Sequence, residues 1–153
     1  MINVAVYQGP LVHGPKRGAK GQYPKKRHDM TQIYPPDRRI DMCRKLVVMR
    51  QTIGEAIGYR LCPSPVWDML LDLYLAQYEK REVYLFSLYT AASDIPQSTA
   101  HRKIAEMEKR RLVTRDIPRP DGRRVAISMT AQGLAIVDRL LDRIIELWEG
   151  WKS

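Results

Sequence analysis

The sequence has few of the features that would place a protein in a membrane, outside the cell or among small crosslinked domains. No uncharged apolar run approaches the ~20 residues that a transmembrane helix needs. The N-terminus lacks the long apolar segment and the small-residue cleavage site of a secretory signal. Two cysteines, Cys43 and Cys62, are too few for a disulfide scaffold or a four-thiolate zinc site. We therefore expect a cytoplasmic protein with no membrane partner.

Motifs for catalysis and for cofactor binding are also missing. The sequence has no Gly-rich nucleotide-binding pattern, no catalytic Ser/His/Asp set and no HExxH motif. Its three histidines, His13, His28 and His101, lie far apart, which argues against a metal site. Cys43 and Cys62 are interpreted as buried, unreactive thiols, with oxidant sensing as the alternative. We expect no enzyme activity, no metal and no cofactor.

Positive charge is what the chain has in excess. Lys and Arg total 26 against 17 Asp and Glu, so the formal net charge is +9, which favours a polyanionic partner. The excess is concentrated, because residues 1–36 carry a net charge of +5 and residues 94–124 one of +4. A basic surface that serves only solubility, the alternative, would spread the charge more evenly.

Residues 1–36 are interpreted as a basic arm, and residues 37–153 as one domain. The arm has 5 Pro and 4 Gly, a composition that cannot bury enough apolar surface to offset its ordering entropy. The remaining length suits a single compact domain. The arm is predicted to add contacts with DNA phosphates through Lys25, Lys26 and Arg27.

Helices are predicted at both ends of the domain, over about 37–58 and 130–150. Apolar residues recur at helical spacing in both, with a 3-4 seam in the last helix. Both apolar faces are too wide for one small domain to cover, which predicts a homodimer; packing within one chain is the alternative. The predicted dimer interface consists of Ile40, Leu46, Leu141, Ile144, Trp148 and Trp151.

The middle of the chain alternates short helices with short strands. A helix is expected to begin at Ser64-Pro65, with the Ser64 hydroxyl as its cap. A strand over residues 82–86 and a short helix from Leu88, capped by Ser87, come next. A helix over about 97–111 then precedes a hairpin, whose strands cover residues 112–117 and 125–129. Thr130 is expected to cap the last helix.

A short helix, a tight turn and a second helix with a basic exposed face form a helix-turn-helix, and the hairpin behind it forms a wing. Ala100, Ile104 and Met107 recur at i, i+4 and i+7 and are predicted to face the core. The opposite face suits the major groove, where Arg pairs with guanine and Gln with adenine. The residues predicted to face DNA are Gln97, Ser98, His101 and Arg102 in this helix, and Arg119, Arg123 and Arg124 around the wing tip.

Residues 97–113 and 120–133 resemble the recognition helix and the wing of MarR-type winged-helix regulators. The shared features are an Asp121-x-Arg123 wing tip and a Thr130-x-x-Gly133 helix start, and the resemblance covers roughly residues 64–150. It implies a mainly α (α+β) winged helix-turn-helix with N- and C-terminal dimerisation helices. It further implies a possible small-molecule effector and DNA contacts by Ser98, Thr99, Arg102, Lys103 and Arg123, with Ser87 on a phosphate.

Arg111 departs from this family, in which glycine usually follows the Glu-Lys-Arg of the recognition helix. A left-handed helix cap at Arg111 is therefore expected to be strained or absent. The basic arm is also longer than the family's usual start.

The sequence predicts a sequence-specific regulator of transcription that binds double-stranded DNA as a homodimer on a near-palindromic site. Repression by occlusion of a promoter is the favoured mode, and activation stays open. The alternative is a winged-helix interaction module of a transcription or replication complex, with non-specific nucleic-acid binding through the arm. RNA fits the arm but not the 97–111 helix, since the major groove of A-form RNA excludes helices.

Overall fold

The computed structural model describes residues 33–91, 95–116 and 125–151. Most of the predicted arm lies outside these ranges, with Lys25, Lys26 and Arg27, and so does the wing tip with Arg119, Arg123 and Arg124. The described elements, in chain order, are α1 (Pro36–Ile57), a 3-10 turn (Tyr59–Leu61), α2 (Pro65–Glu79), α3 (Leu85–Ala91), α4 (Gln97–Lys109), β1 (Val113–Arg115), β2 (Ile127–Met129) and α5 (Ala131–Gly150). The mainly α (α+β) class with a winged helix-turn-helix is confirmed.

The two long helices α1 and α5 pack against each other and against α2. Pro36 occupies the first turn of α1, where its missing N–H costs nothing, and Gly58 ends the helix at a φ of 91°. Tyr74 of α2 is fully buried and donates a 2.8 Å hydrogen bond to Asp138 of α5. The core extends from this junction towards α4 and the hairpin through a continuous set of buried side chains that includes Met69, Leu88, Ile104, Met107, Val113 and Ile127.

A buried ion pair joins α1 to α5. The Nε and Nη2 atoms of Arg39 each lie 2.7 Å from a carboxylate oxygen of Asp142, and Asp142 is only 2% exposed. Asp138 lies 3.4 Å from Arg39 Nη1, so a second carboxylate supports the same guanidinium. The hydrogen bond to Asp142 raises the pKa of Arg39. This paired geometry offsets part of the cost of removing both charges from water.

The strand predicted over residues 82–86 does not form. Tyr84 makes one antiparallel bridge to Ala126, flanked by bonds from Leu85 N–H to the Val125 carbonyl and from Ile127 N–H to the Val83 carbonyl. Helix α3 then begins at Leu85, three residues earlier than predicted. The aromatic and β-branched residues of this segment favour strand locally, but the helix start leaves space for a single bridge.

The two serines predicted as helix caps do not cap. Ser64 makes no side-chain hydrogen bond at the start of α2. Ser87 lies inside the first turn of α3, where its hydroxyl donates to the Tyr84 carbonyl at 2.8 Å and accepts the Tyr84 N–H at 3.1 Å. The predicted Thr130 cap is confirmed, because its hydroxyl accepts the Gly133 N–H at 2.9 Å.

Helix α4 ends in a left-handed residue that is not glycine. Arg111 has a φ of 56°, and the bonds from its N–H to the Glu108 carbonyl and from Leu112 N–H to the Met107 carbonyl form a Schellman motif. The sequence left open whether this left-handed cap is strained or absent. The cap is present, and Arg111 adopts the strained left-handed backbone conformation.

The start of α5 lies directly against the start of the hairpin. The Thr130 N–H donates to the Leu112 carbonyl at 3.0 Å. A Cβ atom on Gly133 would lie 2.0 Å from that same carbonyl oxygen. Glycine in the Thr130-x-x-Gly133 pattern is therefore required by a close approach of two backbones. β1 and β2 pair antiparallel in the register Val113↔Met129, Thr114↔Ser128 and Arg115↔Ile127.

Candidate nucleic-acid interface

Helix α4 separates a buried face from an exposed face as the sequence predicts. Ala100 and Ile104 have no exposed surface, and Met107 is 1% exposed, so this stripe anchors the helix to the core. Of the predicted DNA-facing residues, Gln97, Ser98, His101 and Arg102 are exposed, whereas Thr99 and Lys103 are half-buried. All six therefore lie in the N-terminal half of α4, but only Gln97, Ser98, His101 and Arg102 form its exposed face.

Charge on α4 is compensated unevenly along its length. Glu106 forms ion pairs with Lys103 at 3.5 Å and with Arg110 at 3.1 Å, and the proximity of Lys103 lowers the pKa of Glu106. Glu108 pairs with Arg115 of β1 at 2.6 Å. Arg102 has no carboxylate partner among the described residues. Arg102 is therefore the unpaired cation among the small polar side chains of the N-terminal half, and Lys109 at the other end of the helix also lacks a carboxylate partner among the described residues.

The N-terminus of α4 also presents backbone donors. Pro96 precedes the helix and makes no side-chain cap, so the amides of Gln97 and Ser98 are not capped by a side chain. Free amides at a helix N-terminus favour an anionic group such as a phosphate. This arrangement suits close approach to a phosphate backbone beside the exposed polar face.

Helix α3 contributes aromatic residues that sequence reasoning missed. Phe86 is 71% exposed, and Tyr89 places its hydroxyl 2.9 Å from Nδ1 of His101 on α4. Together with Tyr84, Gln97 and Val125 they border an open groove of about 720 Å³ between the two helices and the base of the wing. The sequence signal is three aromatic residues within six positions, two of them in the predicted strand over residues 82–86 and Tyr89 in the predicted helix from Leu88.

Ser87, which the family resemblance places on a phosphate, is exposed on α3. Its single hydroxyl proton is directed to the Tyr84 carbonyl. A phosphate contact through this hydroxyl therefore requires it to release a bond inside the chain, and the role stays a prediction.

The predicted dimer residues divide into buried and exposed sets. Leu46 is 8% exposed and Leu141 has no exposed surface within a single chain, so both pack inside it. Ile40 and Ile144 are half-buried, whereas Trp148 is 45% and Trp151 91% exposed. Ile33, Leu140 and Leu147 are further exposed apolar side chains outside this predicted set, and the last two lie on α5.

Two other features considered as candidate sites are a cavity between α1 and α2 and the cysteines. A cavity of about 270 Å³ between α1 and α2 is bordered by Val47, Tyr59 and Leu75 and by a 2.8 Å Arg50–Asp68 ion pair. Cys43 is fully buried, and burial raises its thiol pKa to about 12, as expected for an unreactive thiol. The prediction of a buried Cys62 is wrong, because this residue is half-buried and its sulfur lies 3.5 Å from Nη1 of Arg50.

No three of the His, Cys, Asp and Glu side chains in the described ranges are placed to hold a metal ion. In the same ranges, each helix is too short or too polar to cross a bilayer.

Comparison with known proteins gives structural likeness only. No protein-family model matches the chain, and no curated protein matches it in sequence. Among solved structures, MepR of Staphylococcus aureus in its DNA-binding conformation aligns with 18% identity and a TM-score of 0.48, covering 78% of this chain and 84% of that one. A MarR family transcriptional regulator from Silicibacter pomeroyi aligns with 23% identity and a TM-score of 0.41, covering 66% of each chain.

A protein of Archaeoglobus fulgidus also aligns, with 21% identity and a TM-score of 0.47, covering 60% of this chain and 96% of that one. Because identity is low and the TM-scores lie below one half, the description of the fold rests on the contacts of the chain itself.

Proposed function

We propose that the protein is a sequence-specific regulator of transcription that binds double-stranded DNA through α4 and acts as a repressor by occluding a promoter. One observation carries the proposal: α4 buries Ala100, Ile104 and Met107 and exposes Gln97, Ser98, His101 and Arg102. A helix held in this way can enter the major groove, where its exposed polar side chains meet base edges.

The placement of charge supports a polyanionic partner such as DNA. The one arginine on this face, Arg102, lacks a carboxylate neighbour among the described residues, whereas Lys103 and Arg110 have Glu106. A free guanidinium can form a forked pair with guanine O6 and N7. The basic residues of the arm would add phosphate contacts that depend on salt but not on sequence.

A homodimer through the ends of α1 and α5 is part of the proposal. Trp148, Trp151 and Leu147 are exposed near the C-terminus of α5, and Tyr34, next to the exposed Ile33, donates a 3.0 Å hydrogen bond to Glu149 of that helix. An apolar surface of this kind marks an interaction site. Two-fold symmetry would present two copies of α4 to half-sites about 34–36 Å apart, so the operator would be near-palindromic.

Selection of bound sequences from a random pool of duplex DNA tests the proposal, with the full chain at physiological salt. We expect enrichment of a near-palindrome. Arg102→Ala should weaken binding to that site by about 1–3 kcal/mol and relax preference at one base position. Arg110→Ala is the matched control, because it removes an equal charge from the same helix at a position paired with Glu106.

The outcomes separate the proposal from its alternative. Equal losses for Arg102→Ala and Arg110→Ala, with no enriched sequence, would support an interaction module that binds nucleic acid without specificity. Activation rather than repression would follow if the selected site lay upstream of the promoter and expression of the adjacent gene fell when the protein was removed.

A further inference from the structure

A side-chain hydrogen bond connects the two helices of the helix-turn-helix on the face proposed to meet DNA. The Tyr89 hydroxyl of α3 lies 2.9 Å from Nδ1 of His101 of α4, and the two rings are tilted by 53° with centroids 6.3 Å apart. Tyr89 is half-buried and His101 is exposed. The contact therefore holds an exposed imidazole against a partly buried partner.

The chemistry of the two groups decides which one donates. A phenol is a strong donor with a weakly basic oxygen, whereas an unprotonated imidazole nitrogen is a good acceptor, so the favoured bond is O–H···Nδ1. In a neutral imidazole one nitrogen accepts and the other carries the hydrogen. A Tyr89 that donates to Nδ1 therefore places the hydrogen of His101 on Nε2.

The outward nitrogen then has a defined role. No described residue lies in hydrogen-bond contact with Nε2 of His101. A single N–H donor matches a base that offers acceptors in the major groove, and guanine offers two adjacent ones, O6 and N7. Adenine places an amino donor beside its N7, cytosine presents an amino donor, and thymine offers one acceptor, O4, beside its methyl group, so all three match less well than guanine with its two adjacent acceptors.

We propose that His101 determines specificity for guanine at one operator position and that Tyr89 is the positioning residue that fixes its tautomer. The inference rests on the proposed function, because it specifies what part of α4 recognises. It adds a base-reading side chain next to Arg102, one residue earlier in the chain and on the same exposed face of α4.

The tautomer can be measured without DNA. Nitrogen NMR of the imidazoles in the full chain at pH 8 should show His101 with an unprotonated Nδ1 and a protonated Nε2. Tyr89→Phe should remove this bias, whereas Tyr78→Phe, which removes a hydroxyl from α2, should leave it in place. A protonated Nδ1 in the wild-type protein would overturn the proposal, because Nε2 would then be an acceptor.

Base preference is measured by binding of each variant to the selected site and to versions substituted at single positions. Tyr89→Phe and His101→Ala should each reduce the preference for guanine at the same position about threefold to tenfold, the value of one hydrogen bond. In the His101→Ala background, Tyr89→Phe should have no further effect.

These measurements distinguish failure of the inference from failure of the function. A wild-type protein with a selected site, whose preferences are unchanged in Tyr89→Phe and His101→Ala, would overturn only the role of this pair. A wild-type protein without any preferred duplex would overturn the proposed function and the inference together. Circular dichroism of each variant shows that a lost preference does not reflect a lost fold.

Discussion

The α1–α5 junction and the exposed face of α4 use arginine in opposite ways. Arg39 is buried between two long helices and is bound by both oxygens of Asp142. Arg102 is exposed and has no carboxylate partner among the described residues. A buried charge must be paired because desolvation is costly, whereas an exposed charge kept free of acids remains available to a polyanion. Pairing thus separates charges that maintain the architecture from charges that can serve binding.

The largest effect is expected from breaking the buried ion pair between Arg39 and Asp142. Asp142→Asn removes the charge that faces Arg39 and should lower the free energy of unfolding by about 3 kcal/mol, the lower end for a broken buried pair, because Asp138 still lies near the guanidinium. Urea denaturation measures it. The double variant Arg39→Met with Asp142→Leu should regain part of the loss, and a loss below about 1 kcal/mol for Asp142→Asn would contradict the assignment.

The next effect concerns the contact between α5 and the hairpin. Gly133→Ala places a methyl group against the Leu112 carbonyl and should cost about 1–3 kcal/mol, the usual range for overpacking. Gly150→Ala is the matched control, since no atom lies within 4 Å of its added Cβ. Equal thermal midpoints for the two variants would show that the backbones can separate without cost.

A smaller effect of opposite sign is expected at the end of α4. Arg111→Gly relieves a left-handed φ of 56° and should stabilise the protein by up to about 1 kcal/mol. Arg110→Gly, at a φ of −83°, gains no such relief and should destabilise. A decrease in stability for Arg111→Gly would mean that the arginine side chain contributes more than its backbone strain costs.

The smallest effect is expected from removing the exposed ion pairs of Glu106 on α4. Glu106→Gln removes the exposed partner of Lys103 and Arg110 and should leave the denaturation midpoint unchanged, because surface ion pairs contribute little. The same variant should increase affinity for any duplex at low salt, since two cations are freed. Fluorescence anisotropy with a non-cognate duplex measures this gain, which should vanish at high salt; an unchanged affinity would show that the two cations lie away from DNA.

Local patterns predicted the parts of the molecule that are determined locally. The i, i+4, i+7 spacing of Ala100, Ile104 and Met107 gave the buried face of α4, and Thr130 gave the start of α5. Spacing cannot tell whether an apolar residue is buried within a chain or between chains, so Leu46 and Leu141 were assigned to a dimer surface although they pack inside one chain.

Contacts between distant positions were beyond sequence reasoning. The partners Arg39 and Asp142 are 103 positions apart, and Tyr89 meets His101 only because α3 and α4 cross at that point. Tyr84 and its neighbours were misassigned since their strand propensity was overridden by a helix start that pairs with the base of the wing.

A single carbonyl oxygen, that of Leu112, has a mechanical consequence. It accepts the Thr130 N–H, and Gly133 lies directly against it, while the Thr130 hydroxyl donates to the neighbouring carbonyl of Arg111. The first turn of α5 and the root of the hairpin are therefore fastened together at this oxygen. A shift of that turn is expected to carry the root of the hairpin with it, because separating the two breaks the bond from the Thr130 N–H to the Leu112 carbonyl.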